Sequence, residues 1–140
     1  MAAIDYTTGV GPQIRKHMDE DLVVWLTTTS SDGTPQPNPV WFITEGEDII
    51  VYSHRTAARN HNIRRNNRVS LNFNSDPEAE HMSVITGTAA FDETIPPPNV
   101  NDRYMAKYGH MIPGIGMTPE TYAETFSVAL RITPTKIRGW

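Results

Sequence analysis

Val51-Tyr52-Ser53-His54-Arg55-Thr56-Ala57-Ala58-Arg59-Asn60-His61-Asn62-Ile63-Arg64-Arg65 begins as one kind of chain and ends as another. Ile49–Ser53 is rich in apolar and β-branched residues and predicts a buried strand. From Thr56 to Asn67 proline is absent, helix formers accumulate, and Ala58, Ile63 and Asn67 recur at helical spacings, which predicts a helix. Arg68–Asn74 returns to a period of two, with Val69, Leu71 and Phe73 on one face of a second strand. A helix that starts just past a strand end presents unpaired N–H groups and the positive end of its dipole, and so takes anions readily. Ser53 and Thr56 add hydroxyls there, Arg59 a planar fork suited to phosphate, and Asn60 an amide donor. Arg55 sits in the turn itself, within reach of the same anion. Arg64, Arg65 and Arg68 read as mainly a solvated face.

The charge distribution supports that location. The net charge is −4, yet no carboxylate lies between Asp48 and Asp76, and that stretch holds Arg55, Arg59, Arg64, Arg65 and Arg68. Removing these five leaves −9 on the rest of the chain. One positive island in an acidic protein suits a small anionic ligand better than a nucleic acid. The 140 residues suit one domain, and cysteine is absent, which excludes disulfides, thiol nucleophiles and cysteine metal sites. The first residues carry no signal-peptide pattern and Leu22–Leu26 is too short to span a bilayer, so a cytoplasmic protein is expected.

Outward from this unit, hairpins dominate. Leu22–Ser30 predicts a strand, Ser31-Asp32-Gly33-Thr34 a tight turn, and Pro35–Thr44 the returning strand. Prolines at 35, 37 and 39 prevent one edge of that strand from donating ladder hydrogen bonds. Met82–Asp92 and Phe126–Trp140 complete six strands, with Gly87 a bulge or bend and Pro134 a break or bend. Helices are predicted at Val10–Asp19, at Val100–Tyr108, and after Thr118, an N-cap followed by Pro119 and Glu120. The fold class is mainly β, a six-stranded antiparallel barrel or sandwich with short helices.

A second candidate is Pro37-Asn38-Pro39-Val40-Trp41-Phe42. Its alternating prolines free main-chain groups that can meet a flat heterocycle. Trp41 or Phe42 can flank a ring, or both fill the core; neighbours on a strand face opposite ways, so one of them is expected in the core in either case. Asp76, Glu78, Glu80 and His81 read as a hydrated hairpin rather than a metal site, and His54 and His61 as polar surface groups. Ser53 lacks an acid–base partner for nucleophilic chemistry. Tyr104, Lys107 and Tyr108 lie on one helix, with Tyr104 and Tyr108 four apart on one face, where the tyrosines can pack against the barrel. Met111–Met117, with Gly114 and Gly116, is either a mobile rim or a plain connector, and Trp140 is expected to be packed.

Together, Val51–Leu71 and Pro39-Val40-Trp41-Phe42 resemble the flavin/deazaflavin oxidoreductase superfamily, the split β-barrel proteins similar to pyridoxamine 5′-phosphate oxidase. The resemblance is closest to the F420-dependent B group. It extends over nearly the whole chain and is most specific in Asn62-Ile63-Arg64-Arg65-Asn66-Asn67-Arg68-Val69-Ser70-Leu71. It implies a six-stranded split barrel and a homodimer with cofactor at the subunit interface. It implies cofactor phosphate at Ser53, Arg55, Arg59 and Asn60, although Arg55 is not a matched position, and ring contacts from the main chain of Pro39, Val40 and Trp41. By the same analogy, and as the alternative to packing on the barrel, the region of Tyr104, Lys107 and Tyr108 reaches the partner's cofactor or substrate pocket. Arg59 stands where the family usually has lysine, and Asn67 where it usually has proline. The implied activity is hydride transfer from reduced coenzyme F420 to a small unsaturated organic substrate, with the chemistry supplied by the cofactor and no catalytic side chain or metal. An FMN-dependent oxidase or reductase of the same fold, and a non-catalytic flavin- or haem-binding protein, are the alternatives.

Overall fold

At Ser31–Thr34 the chain turns as its residues dictate: Gly33 takes φ +86° and donates its N–H to Ser30 O at 2.9 Å. The turn joins β1 (Val24–Thr29) to β2 (Pro35–Val40) in the computed structural model, which describes residues 3–140. Five further strands follow: β3 (Ile43–Glu45), β4 (Asp48–Ser53), β5 (Arg68–Asn72), β6 (Ser83–Phe91) and β7 (Val128–Gly139). All seven form one antiparallel sheet in the order β2-β1-β5-β6-β7-β4-β3. The sheet curls into a half-barrel.

The count is seven rather than the expected six, because Pro35–Thr44 is two strands. Pairing with β1 ends at Val24↔Val40, Trp41 and Phe42 leave the ladder, and pairing resumes on the other side of the molecule at Ile43↔Ile50. The two edge strands of the sheet are therefore consecutive in the chain and meet at a two-residue corner. The bulge expected at Gly87 is present. Gly87 faces Pro134 while Thr86 faces Lys136, so Thr135 is the extra residue. A Cβ at position 87 would stand 2.5 Å from Thr133 O, which leaves room for glycine only.

Four helices complete the fold: α1 (Gly11–Glu20), α2 (Ala58–Arg65), α3 (Asp102–Tyr108) and α4 (Pro119–Thr125). Thr118 caps α4 in a reciprocal box with Thr121. α3 starts two residues later than its apolar pattern suggests, because Pro98–Val100 forms a 3-10 turn and Asn101 caps the helix with its side chain. The stretch after α3 is not open loop: Gly109–Met111 and Pro113–Ile115 are 3-10 turns, anchored between them by a fully buried Ile112. Trp140, expected to be packed, is 65% exposed and held by its backbone pairing with Met82, an indole bond to Ala79 O and a bond from Gln13 Nε2 to Trp140 O.

β4 is buried on both faces. Ile49 and Val51 point into the curl, where Leu26, Leu71, Ile85, Leu130 and Ile63 of α2 close the interior. Ile50 and Tyr52 point outward into a second cluster built from α3, α4 and the turn at Ile112. α2 lies across one end of the curl, tied to β1 by Asn62 Nδ2 donating to Thr28 Oγ1 at 3.0 Å and by Arg65 donating to Thr29 O at 3.0 Å.

Candidate functional site

The turn between β4 and α2 is locked by its own polar groups. His54 O accepts from Ala57 N and from Asn60 Nδ2, both at 3.0 Å, and His54 Nδ1 accepts from Thr56 N at 3.1 Å. Ala57 then occupies the N-cap position of α2 with no side-chain cap; Asn60 N–H donates to Ala57 O at 3.1 Å, and the N–H groups of Ala58 and Arg59 lack an intramolecular partner. Ser53, fully buried, accepts from Arg59 Nη1 at 3.2 Å. Burial pulls the Arg59 guanidinium below its ordinary pKa, the direction expected of a desolvated cation.

The electrostatics around it are one-sided. Among the described residues, none of Arg55, Arg59, Arg64, Arg65 and Arg68 has a carboxylate oxygen within 4.0 Å. Two of the four arginines elsewhere are paired, Arg15 with Asp19 at 2.9 Å, and Arg131 with Asp92 at 2.8 Å, Asp48 at 3.0 Å and Glu45 at 3.4 Å, while Arg103 and Arg138 have no carboxylate partner among the described residues. The acid-poor segment thus folds into a surface whose cations lack internal counter-ions.

Arg59 borders a groove of about 200 Å³. Pro39, Val40 and Trp41 form one wall, so the two stretches singled out in the sequence converge here. Phe42 is fully buried in the interior, and Trp41 takes the groove side. Tyr52, Tyr122, Phe126 and Ile115 complete the lining. Trp41 stacks on Tyr122 with centroids 5.7 Å apart, and Tyr122 on Phe126 at 4.5 Å, giving a flat aromatic lining. Three of the lining residues, Tyr52 on the outer face of β4 and Tyr122 and Phe126 of α4 and its C-cap, are not legible in the sequence as site residues, and only the four-residue spacing of Tyr122 and Phe126 signals them; Ile115 lies in the Met111–Met117 stretch read as a rim or a connector.

The other sequence candidates are placed less directly. Arg55 is exposed and outside the groove lining, and its backbone N–H is bound to Thr125 O at 2.9 Å. Asn60 is 3% exposed; its amide N–H fixes the turn and its Oδ1 has no partner. Asp76, Glu80 and His81 have ligand atoms within 4.8 Å of one another. Asp76, however, spends its oxygens on the N–H groups of Glu78, Glu80 and His81, bonds that also hold its pKa low. Three other grooves are larger: about 410 Å³ beside Arg64 and Phe91, about 490 Å³ near Asn72 and Arg138, and about 250 Å³ between α1 and His81. None of them joins an uncapped helix start to a flat aromatic wall. No helix among the described residues is long and apolar enough to cross a membrane.

Solved structures share this architecture. An F420 reductase is similar at 22% identity, with a TM-score of 0.66 over 89% of this chain and 94% of that one. A FAD-binding protein from Mesorhizobium loti matches at 16% identity and TM-score 0.66, covering 91% of each chain. The haem storage protein HutZ from Vibrio cholerae matches at 17% identity and TM-score 0.63, over 91% of this chain and 92% of that one. At these identities the likeness is one of fold. No curated protein matches the sequence. The pyridoxamine 5′-phosphate oxidase family pattern matches residues 10–140, from the start of α1 to the end of β7, and the chain belongs to that family of split-barrel proteins.

Proposed function

We propose that this protein is an oxidoreductase whose groove binds coenzyme F420, acting as a cytoplasmic homodimer with cofactor at the subunit interface. FMN is the alternative cofactor. The observation that carries the reading is the convergence of Pro39, Val40 and Trp41 with Arg59 on one groove. The residues fit a phosphorylated flavin-like group. Arg59 is a partly desolvated cation with a hydroxyl but no counter-ion, beside an uncapped helix start, and a phosphate satisfies both.

Bound there, the cofactor supplies the hydride chemistry. The chain's own contribution is placement. Ser53 holds the Arg59 fork toward the helix start. Pro39, Val40 and Trp41 line the groove and would offer their main chain to a flat ring. Tyr122, Phe126 and Ile115 would exclude water from the same space. The hydride acceptor would be a small unsaturated organic substrate. The unpaired Arg55, Arg64, Arg65 and Arg68 favour F420, whose tail is acidic, over FMN.

Separate fluorescence titrations with F420 and FMN test the assignment. Tight binding of FMN with none of F420 reverses the order of the two cofactors, and binding of neither removes the enzyme reading. Turnover of the bound cofactor separates an enzyme from a storage protein for flavin or haem. Arg59→Ala is expected to raise the cofactor Kd about 10- to 100-fold, the loss of one charge-assisted phosphate contact. An unchanged Kd moves the phosphate elsewhere.

A further inference from the structure

The corner between β2 and β3 is the place where the sheet leaves its own backbone unpaired. Trp41 and Phe42 belong to neither strand, so the N–H and C=O of the buried Phe42 have no ladder partner. One helix satisfies both. Phe42 N–H donates to Tyr108 Oη at 2.9 Å. The Tyr108 hydroxyl in turn lies 2.9 Å from Phe42 O and 2.7 Å from Leu22 O. Lys107 Nζ donates to Phe42 O at 2.8 Å and sits 3.9 Å above the Phe42 ring.

Tyr108 acts on the corner a second time through its ring, which lies flat against Trp41 with centroids 4.7 Å apart and planes 3° from parallel. α3 thus replaces the missing strand at this point. We infer that Tyr108 is a positioning residue of the groove: its hydroxyl fixes the main-chain path at Phe42 while its ring fixes the plane of Trp41, and both set how a flat ligand sits against Pro39–Trp41. The inference rests on the groove being the cofactor site. Phenylalanine at 108 keeps the stack but leaves a buried N–H unpaired, so the corner shifts to find a partner.

The test compares Tyr108→Phe with Ile85→Val, a fully buried interior change away from the groove. In titrations with FMN and with F420, Tyr108→Phe weakens whichever cofactor the natural sequence binds by about tenfold, and Ile85→Val leaves it unchanged. Equal affinities in the two variants overturn the inference. A ligand-free arm uses Trp25→Phe/Trp140→Phe, which leaves Trp41 as the sole tryptophan. Acrylamide quenching of Trp41 is expected to rise about twofold on Tyr108→Phe and not on Ile85→Val. If the natural sequence binds neither cofactor, the cofactor reading fails and quenching alone decides; unchanged quenching then overturns the positioning role. Should Tyr108→Phe not fold, Lys107→Met, which removes the second bond to Phe42 O together with the ammonium over the Phe42 and Tyr108 rings, carries the same two measurements.

Discussion

The two faces of β4 are packed by different chemistry. Toward the curl, Val51 meets Leu26, Leu71, Ile85 and Leu130, with the half-buried Tyr6 packed at the margin and its hydroxyl unpartnered. Toward the helices, Tyr52 meets Tyr104, Tyr108 and Tyr122, with Trp41 and Phe126 at the margin. The aliphatic side needs mainly volume and apolar surface. The aromatic side needs directions as well, because its four buried phenols are tied by hydrogen bonds. Tyr52 donates to Pro96 O, Tyr104 and Tyr122 share a hydrogen bond, and Tyr108 holds the β2–β3 corner. One side makes the molecule fold, and the other aims the groove.

The largest expected effect breaks the aliphatic side. Leu130→Ala removes a fully buried side chain and costs about 2–5 kcal/mol, read as a lower urea midpoint, with ligand affinity kept in the folded fraction. A cost near zero would erase the distinction between the two faces. Tyr104→Phe and Tyr122→Phe come next. Each leaves a buried hydroxyl unpaired and costs about 1–3 kcal/mol, whereas the double variant costs less than the sum because both partners go together. Strict additivity in that cycle would mean that the two hydroxyls do not depend on each other.

The smallest effect is a pH dependence confined to the aromatic side. Burial holds Lys107 down to about 8 against an ordinary 10.5, so between these values the unfolded chain binds its proton more tightly and stability rises with pH. Burial pushes Tyr122 from 10.0 up to about 12, a contribution present below about pH 10 and lost as pH rises toward 12. Tyr104 and Tyr108 shift in the same direction, also through burial. Relative to Lys107→Met, the natural sequence therefore gains stability from pH 8 to pH 10. A constant difference in urea midpoint across that range would show that Lys107 is not buried against Phe42 in solution.

The same division explains what was legible in the sequence. Period and turn chemistry are local, and they located the Ser30–Thr34 hairpin, the Val69-Leu71-Phe73 face, the Gly87 bulge and the Thr118 cap within a residue or two. Arg59 and Pro39–Trp41 were legible as separate stretches, and the groove joins them. The corner at Trp41–Phe42 was not legible, because it is imposed by Tyr108 and Lys107 from a helix more than sixty positions away. The late start of α3 had a local cause in Asn101, but an apolar residue at Val100 masked it. Ile115 reaches the groove only because Ile112 anchors its turn, a packing event that leaves no periodic trace.

The sheet order has a kinetic consequence. β7 lies between β6 and β4 and is the sole bridge between the two parts of the sheet. The β1–β2, β3–β4 and β5–β6 pairs join neighbours in sequence and can form within microseconds. The first and third of these join directly through β1 and β5, but attaching the β3–β4 pair waits on β7, which brings together groups such as Asp48 and Arg131, 83 positions apart. α4 runs directly into β7, so Tyr122 and Phe126 take their places only when that bridge is made. The groove is thus among the last features to form, and a ligand that recognises it meets a nearly finished molecule. Such a ligand leaves the rate of folding alone and lengthens the lifetime of the folded state.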